Sequence, residues 1–300
     1  MLKKLFWKYA YSYYTIGFIE DGLQSIMEHK KVQAKFINWN GAVKNNGSWY
    51  ADPFILDVTD TTIKILVEEM PSHIHKGIIT KLVVDRKTFS VIEKKVILEL
   101  SYHLSFPFIL RKNSEVYIIP ENGKSGPLAM FRYDEATETC SYVKDICKDI
   151  IWDASLCELY DAPYLFGATV NDNQLDIYYY DENQELFVPY QTILSDKPDC
   201  RLAGDPYMWN DEVYYPAQLC DKYYGRAVVI KKLVHKDEKF YAIPFRTITS
   251  PHKDLTLGMH TLNTYKGISV IDVKGFSHKY IGPVLFRILL FILKIQGRKL

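Results

Sequence analysis

Trp49-Tyr50-Ala51-Asp52-Pro53-Phe54-Ile55-Leu56 sets an Asp-Pro dipeptide inside an aromatic and β-branched run, and weaker copies of it return along the whole chain. The copies are Ser105-Phe106-Pro107-Phe108-Ile109-Leu110, Asp153-Ala154-Ser155-Leu156-Cys157-Glu158, Gly204-Asp205-Pro206-Tyr207-Met208-Trp209 and His260-Thr261-Leu262-Asn263. Their anchors, Asp52, Ser105, Asp153, Asp205 and His260, recur about every fifty residues, the period of a repeat built from one four-stranded unit. The repeat predicts an all-β chain: a five-bladed β-propeller with four-stranded blades over residues 1–277.

Each anchor stretch is followed by turn formers and a second apolar run, as at Ile63 to Val67, Glu115 to Ile119, Pro163 to Gly167, Glu212 to Tyr215 and Gly267 to Ile271. Third runs alternate apolar with polar residues and read as half-exposed outer strands: Ile79 to Val84, Leu128 to Tyr133, Leu175 to Tyr180 and Ala227 to Ile230. Fourth strands follow at Val91 to Leu98, Cys140 to Ile146, Phe187 to Ile193 and Phe240 to Phe245. The segment Tyr14 to Ile19 precedes the first repeat and is expected to complete the last blade, which removes an open sheet edge.

Of the 300 residues, 48% are hydrophobic and 24% charged, enough to bury one large core and to exclude disorder. A net charge of +1 exerts no global pull on nucleic acid. Five cysteines without a CxxC pair or a His at zinc-ligand spacing read as reduced thiols, which points to the cytoplasm. Neither a secretory signal, a P-loop nor a dinucleotide fingerprint is evident.

The tail, residues 278–300, differs in kind. Ile281, Val284, Leu285, Ile288, Leu289, Ile292 and Ile295 recur at helical spacing among Arg287, Lys294 and Arg298, giving a basic amphipathic helix too short and too charged to cross a bilayer. It can lie in a membrane interface, pack across the propeller face or meet a partner subunit. Leu2, Leu5, Phe6, Trp7 and Tyr9 with Lys3, Lys4 and Lys8 form a second basic-apolar segment. Closure of the ring brings both segments to one side, which favours the membrane surface.

In a propeller the first strand of each blade lines the central channel, so the repeat is also a map of the site. Asp52, Asp153 and Asp205 are candidate acid/base carboxylates, because crowded carboxylates push one another's pKa values apart. Glu69 and Glu121 end the second strands of the first two blades, and Glu121 is the candidate proton donor. His103, Ser105 and His260 line the same funnel as substrate contacts. Gln218 is assigned to a sugar hydroxyl, Arg226 to a phosphate or carboxylate, and Trp49 and Trp209 to stacking on a sugar ring. No cofactor or metal centre is expected, save an ion on the axis beside His260.

Two families resemble this sequence. The five repeats, the Asp-Pro opening and the carboxylates of the first, third and fourth blades resemble the five-bladed glycosidases of the arabinanase and β-xylosidase kind. That likeness implies a base at Asp52, a pKa-tuning carboxylate at Asp153 and a central His260. Asp205 stands where the acid Glu of those enzymes is expected, which disfavours hydrolysis by their mechanism.

The closer likeness spans nearly the whole chain. Trp49 to Phe54, His103 to Phe108 with Ile119-Pro120-Glu121, Leu165-Phe166-Gly167, and Tyr215-Pro216-Ala217-Gln218 with Tyr224-Gly225-Arg226 resemble the N-terminal propeller domain of glucosamine inositolphosphorylceramide transferases. Related domains occur in bacterial proteins of polysaccharide assembly. This resemblance implies a carbohydrate-active protein of cell-surface glycan or glycolipid assembly, with glycosyl transfer preferred. A glycan-binding propeller serving a separate glycosyltransferase is the alternative, and a hydrolase of the arabinanase type the second. The substrate is expected to be a sugar, joined to a nucleotide or lipid, at the inner membrane face.

Overall fold

The computed structural model describes residues 11–28, 31–40, 43–123 and 125–295. The chain opens with β1 (Ser12–Ile19), α1 (Gly22–Met27) and β2 (Lys35–Phe36). Four meanders follow: β3 (Trp49–Val58), β4 (Thr62–Met70), β5 (Ile78–Asp85) and β6 (Val91–Leu98); then β7 (Ser105–Lys112), β8 (Glu115–Glu121), β9 (Leu128–Asp134) and β10 (Thr139–Cys147). The third is β11 (Trp152–Leu159), β12 (Ala162–Ala168), β13 (Gln174–Asp181) and β14 (Leu186–Leu194); the fourth is β15 (Tyr207–Trp209), β16 (Glu212–Leu219), β17 (Ala227–Lys236) and β18 (Lys239–Ile248). Last come β19 (Leu262–Tyr265), β20 (Ile268–Phe276) and helix α2 (Ile281–Ile295).

The N-terminal strand does complete the last sheet. Its order is β19-β20-β1-β2, with Tyr14 opposite Lys274 and Ile19 opposite Ser269. The second and third meanders merge into one eight-stranded sheet through a single parallel pair, Cys147 opposite Phe187. Apolar side chains fill the wedges between sheets: Ile16, Phe18, Ile65, Val67 and Val270 pack together where the last sheet meets the first, and Phe54 meets Phe106 edge-on at 4.9 Å where the first meets the second. Burial of such apolar area is the main driving force for the fold.

Exposure begins one strand farther out than the alternation predicts. The third strands β5 and β17 are buried along most of their length, and the polar-apolar alternation with water belongs to the fourth strands β10, β14 and β18. A strand with neighbouring sheets over both faces reads as nearly continuous apolar sequence, and only the outermost strand has a solvated face. The basic-apolar segment Leu2 to Tyr9 lies outside the described residues.

Candidate active site

In the first three meanders the inner strand carries a bulge at the same place. Pairing skips between Ala51 and Phe54, between Ser105 and Phe108, and between Trp152 and Ser155. Within each skip one residue takes left-handed backbone geometry: Asp52 at φ 50°, Phe106 at φ 43° and Asp153 at φ 47°. Such geometry costs a non-glycine residue energy and persists where the surroundings hold it. Phe106, not Ser105, is therefore the counterpart of Asp52 and Asp153, and its ring goes into the core.

The amides at these positions are held by acceptors that link successive meanders. Phe106 N–H donates to Asp52 Oδ2 at 3.1 Å, Asp153 N–H to Glu121 Oε2 at 3.0 Å and Asp205 N–H to Asn263 Oδ1 at 2.8 Å. Asp52 N–H donates to Asp272 Oδ2 at 3.1 Å, which carries the chain of bonds back from the last sheet to the first. The polar residues at the axis thus close the ring as well as line it.

Two charged groups form there. In one, Asp52 Oδ1 accepts the Thr261 hydroxyl at 2.8 Å and lies 3.6 Å from His260 Nε2. His260 Nδ1 lies 2.5 Å from Asp272 Oδ2, and Asp272 Oδ1 accepts the amides of His260 and Thr261 at 2.9 and 3.0 Å. Burial opposes charge on His260, but Asp272 and Asp52 outweigh it and raise its pKa. Burial likewise pushes Asp52 up to about 6 despite the pull of His260, whereas at Asp272 burial is outweighed by the His260 charge and bonds, which hold it below its usual range. Tyr14 stacks on the imidazole at 4.6 Å and Tyr224 meets it edge-on at 5.3 Å. Gly225 lets this loop approach, since an added Cβ there would stand 2.7 Å from His260 Cβ.

In the other group, the Arg201 guanidinium joins Glu121 to Asp153. Its Nη2 is 3.3 Å from Glu121 Oε2, its Nε bonds Asp153 Oδ2, and it lies 5.4 Å from the rings of Trp152 and Tyr224. Gln218 Nε2 adds a bond to Asp153 Oδ2 at 2.6 Å. Burial, and next the charge on Asp153, push Glu121 up to about 8 against the opposing pull of Arg201. Asp153 Oδ2 thus accepts from two donors, while Glu121 is pushed toward its protonated form.

A third carboxyl faces the same centre. Glu68 is buried beside His103, whose Nε2 is 3.4 Å from Glu68 Oε1 and whose Nδ1 accepts the Gly77 amide at 2.8 Å. That bond puts the imidazole proton on Nε2. Burial, then the charges of Asp52, Glu121, Asp272 and Asp153, lift Glu68 far above the carboxylate range.

The sequence-derived positions divide accordingly. Asp52, Asp153, Glu121, His103 and His260 come together. Asp205 stands apart, accepting Ser155 Oγ at 3.0 Å, and burial lifts it to about 7 while Ser155 and Arg111 hold it down. Gln218 is buried and spends its amide protons on Asp153 and the Leu202 carbonyl, so it orients a carboxylate within the protein. Arg226 is closed in a two-bond fork on Asp221, at 2.5 and 2.8 Å. Trp209 packs into the core with Tyr207, and Trp49 leans on Tyr14 at 5.4 Å. Glu69 faces away from this centre, holding Ser48, Thr80 and Lys94.

Asp272, Glu68 and Arg201 escape the repeat because they lie on second strands or in a connecting loop. Asp272 had a signal nonetheless, a lone acid within the apolar run Ile268 to Val273. Asp52, His260 and Asp272 present ligand atoms within 4.8 Å of one another and are the residues that would hold an axial ion. A protonated His260 already satisfies both carboxylates, so a cation there competes with a proton.

Residues 38–274 match the family of the N-terminal domain of glucosamine inositolphosphorylceramide transferase 1. The chain belongs to this family. Glucosamine inositolphosphorylceramide transferase 1 of Arabidopsis thaliana is 25% identical over 254 residues, which cover 79% of this chain and 32% of the plant protein. The protein of that name from Oryza sativa subsp. indica is 24% identical over 153 residues, 46% of this chain and 20% of its own. This member of the glucosamine inositolphosphorylceramide transferase N-terminal family thus spans about a third or less of the curated relatives it matches.

Solved structures resemble the domain in fold. The RS223 β-xylosidase superposes with a TM-score of 0.54 at 11% identity, over 77% of this chain and 93% of its own. An α-L-arabinofuranosidase from Clostridium thermocellum gives 0.50 at 15% identity, over 72% and 79%.

Proposed function

We propose that the domain is a carbohydrate-active enzyme of cell-surface polysaccharide or glycolipid assembly that transfers a glycosyl group in its axial funnel. The four meanders and the last sheet are then the four-stranded blades of a closed five-bladed propeller. The observation that carries this reading is the pairing of Glu121 with Asp153 under one guanidinium, across the same centre from Asp52 and His260. A carboxyl held up to about 8 keeps its proton at neutral pH, and one at about 6 is mostly ionised there. Those are the states a general acid and a general base require.

In this mechanism Asp52 takes the proton of an acceptor hydroxyl as the hydroxyl attacks the anomeric carbon, and Glu121 protonates the departing oxygen. Asp153 and Arg201 set the Glu121 proton in place, and Asp272 orients His260 behind Asp52. Five free thiols support a reducing cytoplasmic setting. Mass-resolved product analysis with nucleotide sugars, polyprenyl-linked sugars and free oligosaccharides is the test. A new glycosidic product from the wild type, absent with Asp52→Asn, is expected.

One observation favours a second reading, glycan binding in the service of a separate glycosyltransferase. Both Asp52 oxygens are already engaged, by Thr261 Oγ and Phe106 N–H. Oligosaccharide bound by wild type and Asp52→Asn alike, with no product from either, selects that reading. Release of free sugar without any donor selects a hydrolase.

A further inference from the structure

Helix α2 is apolar on two opposite faces. Gly282 and Phe286 turn inward: an added Cβ at Gly282 would stand 2.4 Å from Phe276 Cβ, and the Phe286 ring lies 5.4 Å from those of Phe276 and Tyr223. On the face turned away from the protein, Ile281, Val284, Ile288, Phe291 and Ile292 follow at three- and four-residue steps and so form one stripe. Val284 is 55% exposed, Ile288 50% and Phe291 66%. A surface helix normally turns charged and polar residues to water, and one that is apolar all round is buried in something.

Charge identifies what covers it. From residue 273 to residue 300 the sequence holds Lys274, Lys279, Arg287, Lys294, Arg298 and Lys299 and no Asp or Glu, and residues 1–19 hold Lys3, Lys4 and Lys8 and no acid. At the first described residue, the Tyr11 carbonyl accepts the Ser277 N–H at 2.9 Å just ahead of α2. Arg287 is exposed, while Lys279 lies 3.5 Å from Asp254. At about 1.5 Å per residue, the fifteen described residues reach roughly 22 Å, short of the ~30 Å hydrocarbon core, a length suited to lying along a bilayer.

We infer that the outward face of α2 docks on the surface of an anionic phospholipid bilayer, with the basic residues at both ends of the chain against the headgroups. The docking is independent of the chemistry proposed for the funnel. The Tyr223-Tyr224 pair connects the two places: Tyr223 touches Phe286 of α2 and Tyr224 touches His260.

The test is flotation of the full chain with phosphatidylcholine–phosphatidylglycerol vesicles and with phosphatidylcholine vesicles, beside sedimentation of the protein alone. Wild type is expected to float with the anionic vesicles and to be released by salt. Val284→Ser/Ile288→Ser/Phe291→Ser alters only exposed positions and is expected to lower partitioning about a hundredfold with an unchanged Tm. Arg287→Glu is expected to weaken anionic-vesicle binding alone. Absence of flotation, equal flotation of wild type and triple variant, or equal affinity for both vesicles overturns the proposal. A dimer of the wild type that the triple variant dissolves, without vesicle binding, assigns the face to a second copy of the chain instead.

Discussion

Glu121 and Asp153 hold one another in place across a blade boundary: the Glu121 carboxylate accepts the Asp153 amide at 3.0 Å, and the charge on Asp153 helps keep Glu121 protonated. The bond stabilises the left-handed turn at Asp153, φ 47°, and the turn brings the Asp153 carboxylate to Arg201 and Gln218. The amide bond itself favours the ionised form of Glu121, and burial with the Asp153 charge outweighs it.

The pH dependence of turnover follows from this pair and Asp52. Rates are expected to fall below about 6, where Asp52 gains a proton, and above about 8, where Glu121 loses one. The acidic limb should disappear in Asp52→Asn together with activity. Initial rates across pH 5 to 9 check it, and a flat profile over that range contradicts the assignment of both groups.

Arg201 is a positioning residue with a specific geometry. Arg201→Lys supplies the charge but not the fork, and is expected to lose about 100-fold or more in kcat, nearly as much as Arg201→Gln. Arg201→Gln should also shift the alkaline limb upward, since it removes the positive charge whose pull opposes Glu121 protonation, whereas Arg201→Lys, which keeps a charge, should shift it less. A merely structural role would change Tm and leave that limb where it is.

Stability should fall as pH rises through the same window. Glu121 binds its proton more tightly folded than unfolded, so its contribution is present at low pH and lost between the ordinary Glu range and about 8. Glu121→Gln keeps an acceptor for the Asp153 amide without the ionisation. It is expected to raise Tm at pH 9 by about 2 °C or more and to leave Tm at pH 5 nearly unchanged. Thermal melts at the two pH values decide it.

Asp272 joins the last sheet to the first, and it is fully buried. Asp272→Asn leaves His260 without its close anionic partner, and losses of about 3–5 kcal/mol follow when one member of a buried pair is removed. A Tm lower by roughly 5–10 °C is expected in differential scanning calorimetry. Acidic pH should not restore it, because the protonated imidazole is the state that needs the carboxylate.

The repeat around Asp52 exposed the strand order and brought Asp52, Asp153, Glu121 and His260 to one place, because residues at equivalent points of an inner strand must converge on the axis. Ser105 is one residue out of step: with Pro107 matched to Pro53 and the same bulge in all three inner strands, the equivalent of Asp52 is Phe106. Arg226 looked free for a ligand because its partner Asp221 is a loop neighbour whose side-chain direction spacing does not reveal. Arg201 went unnoticed for the opposite reason: a lone cation in a loop reads as solvated, yet the channel buries it between two carboxyls. Asp205 shares the Asp-Pro motif with Asp52 but has a different environment, set by Ser155 and Arg111.

Carbon-13 NMR titration of Glu-labelled protein, wild type beside Glu121→Gln, follows the Glu121 carboxyl itself. A carboxyl resonance that is protonated at pH 7, titrates near 8 and is missing from the variant is expected. If the resonance lost in Glu121→Gln is already ionised at pH 6, Glu121 is not the proton donor and the acid–base reading of the funnel is wrong.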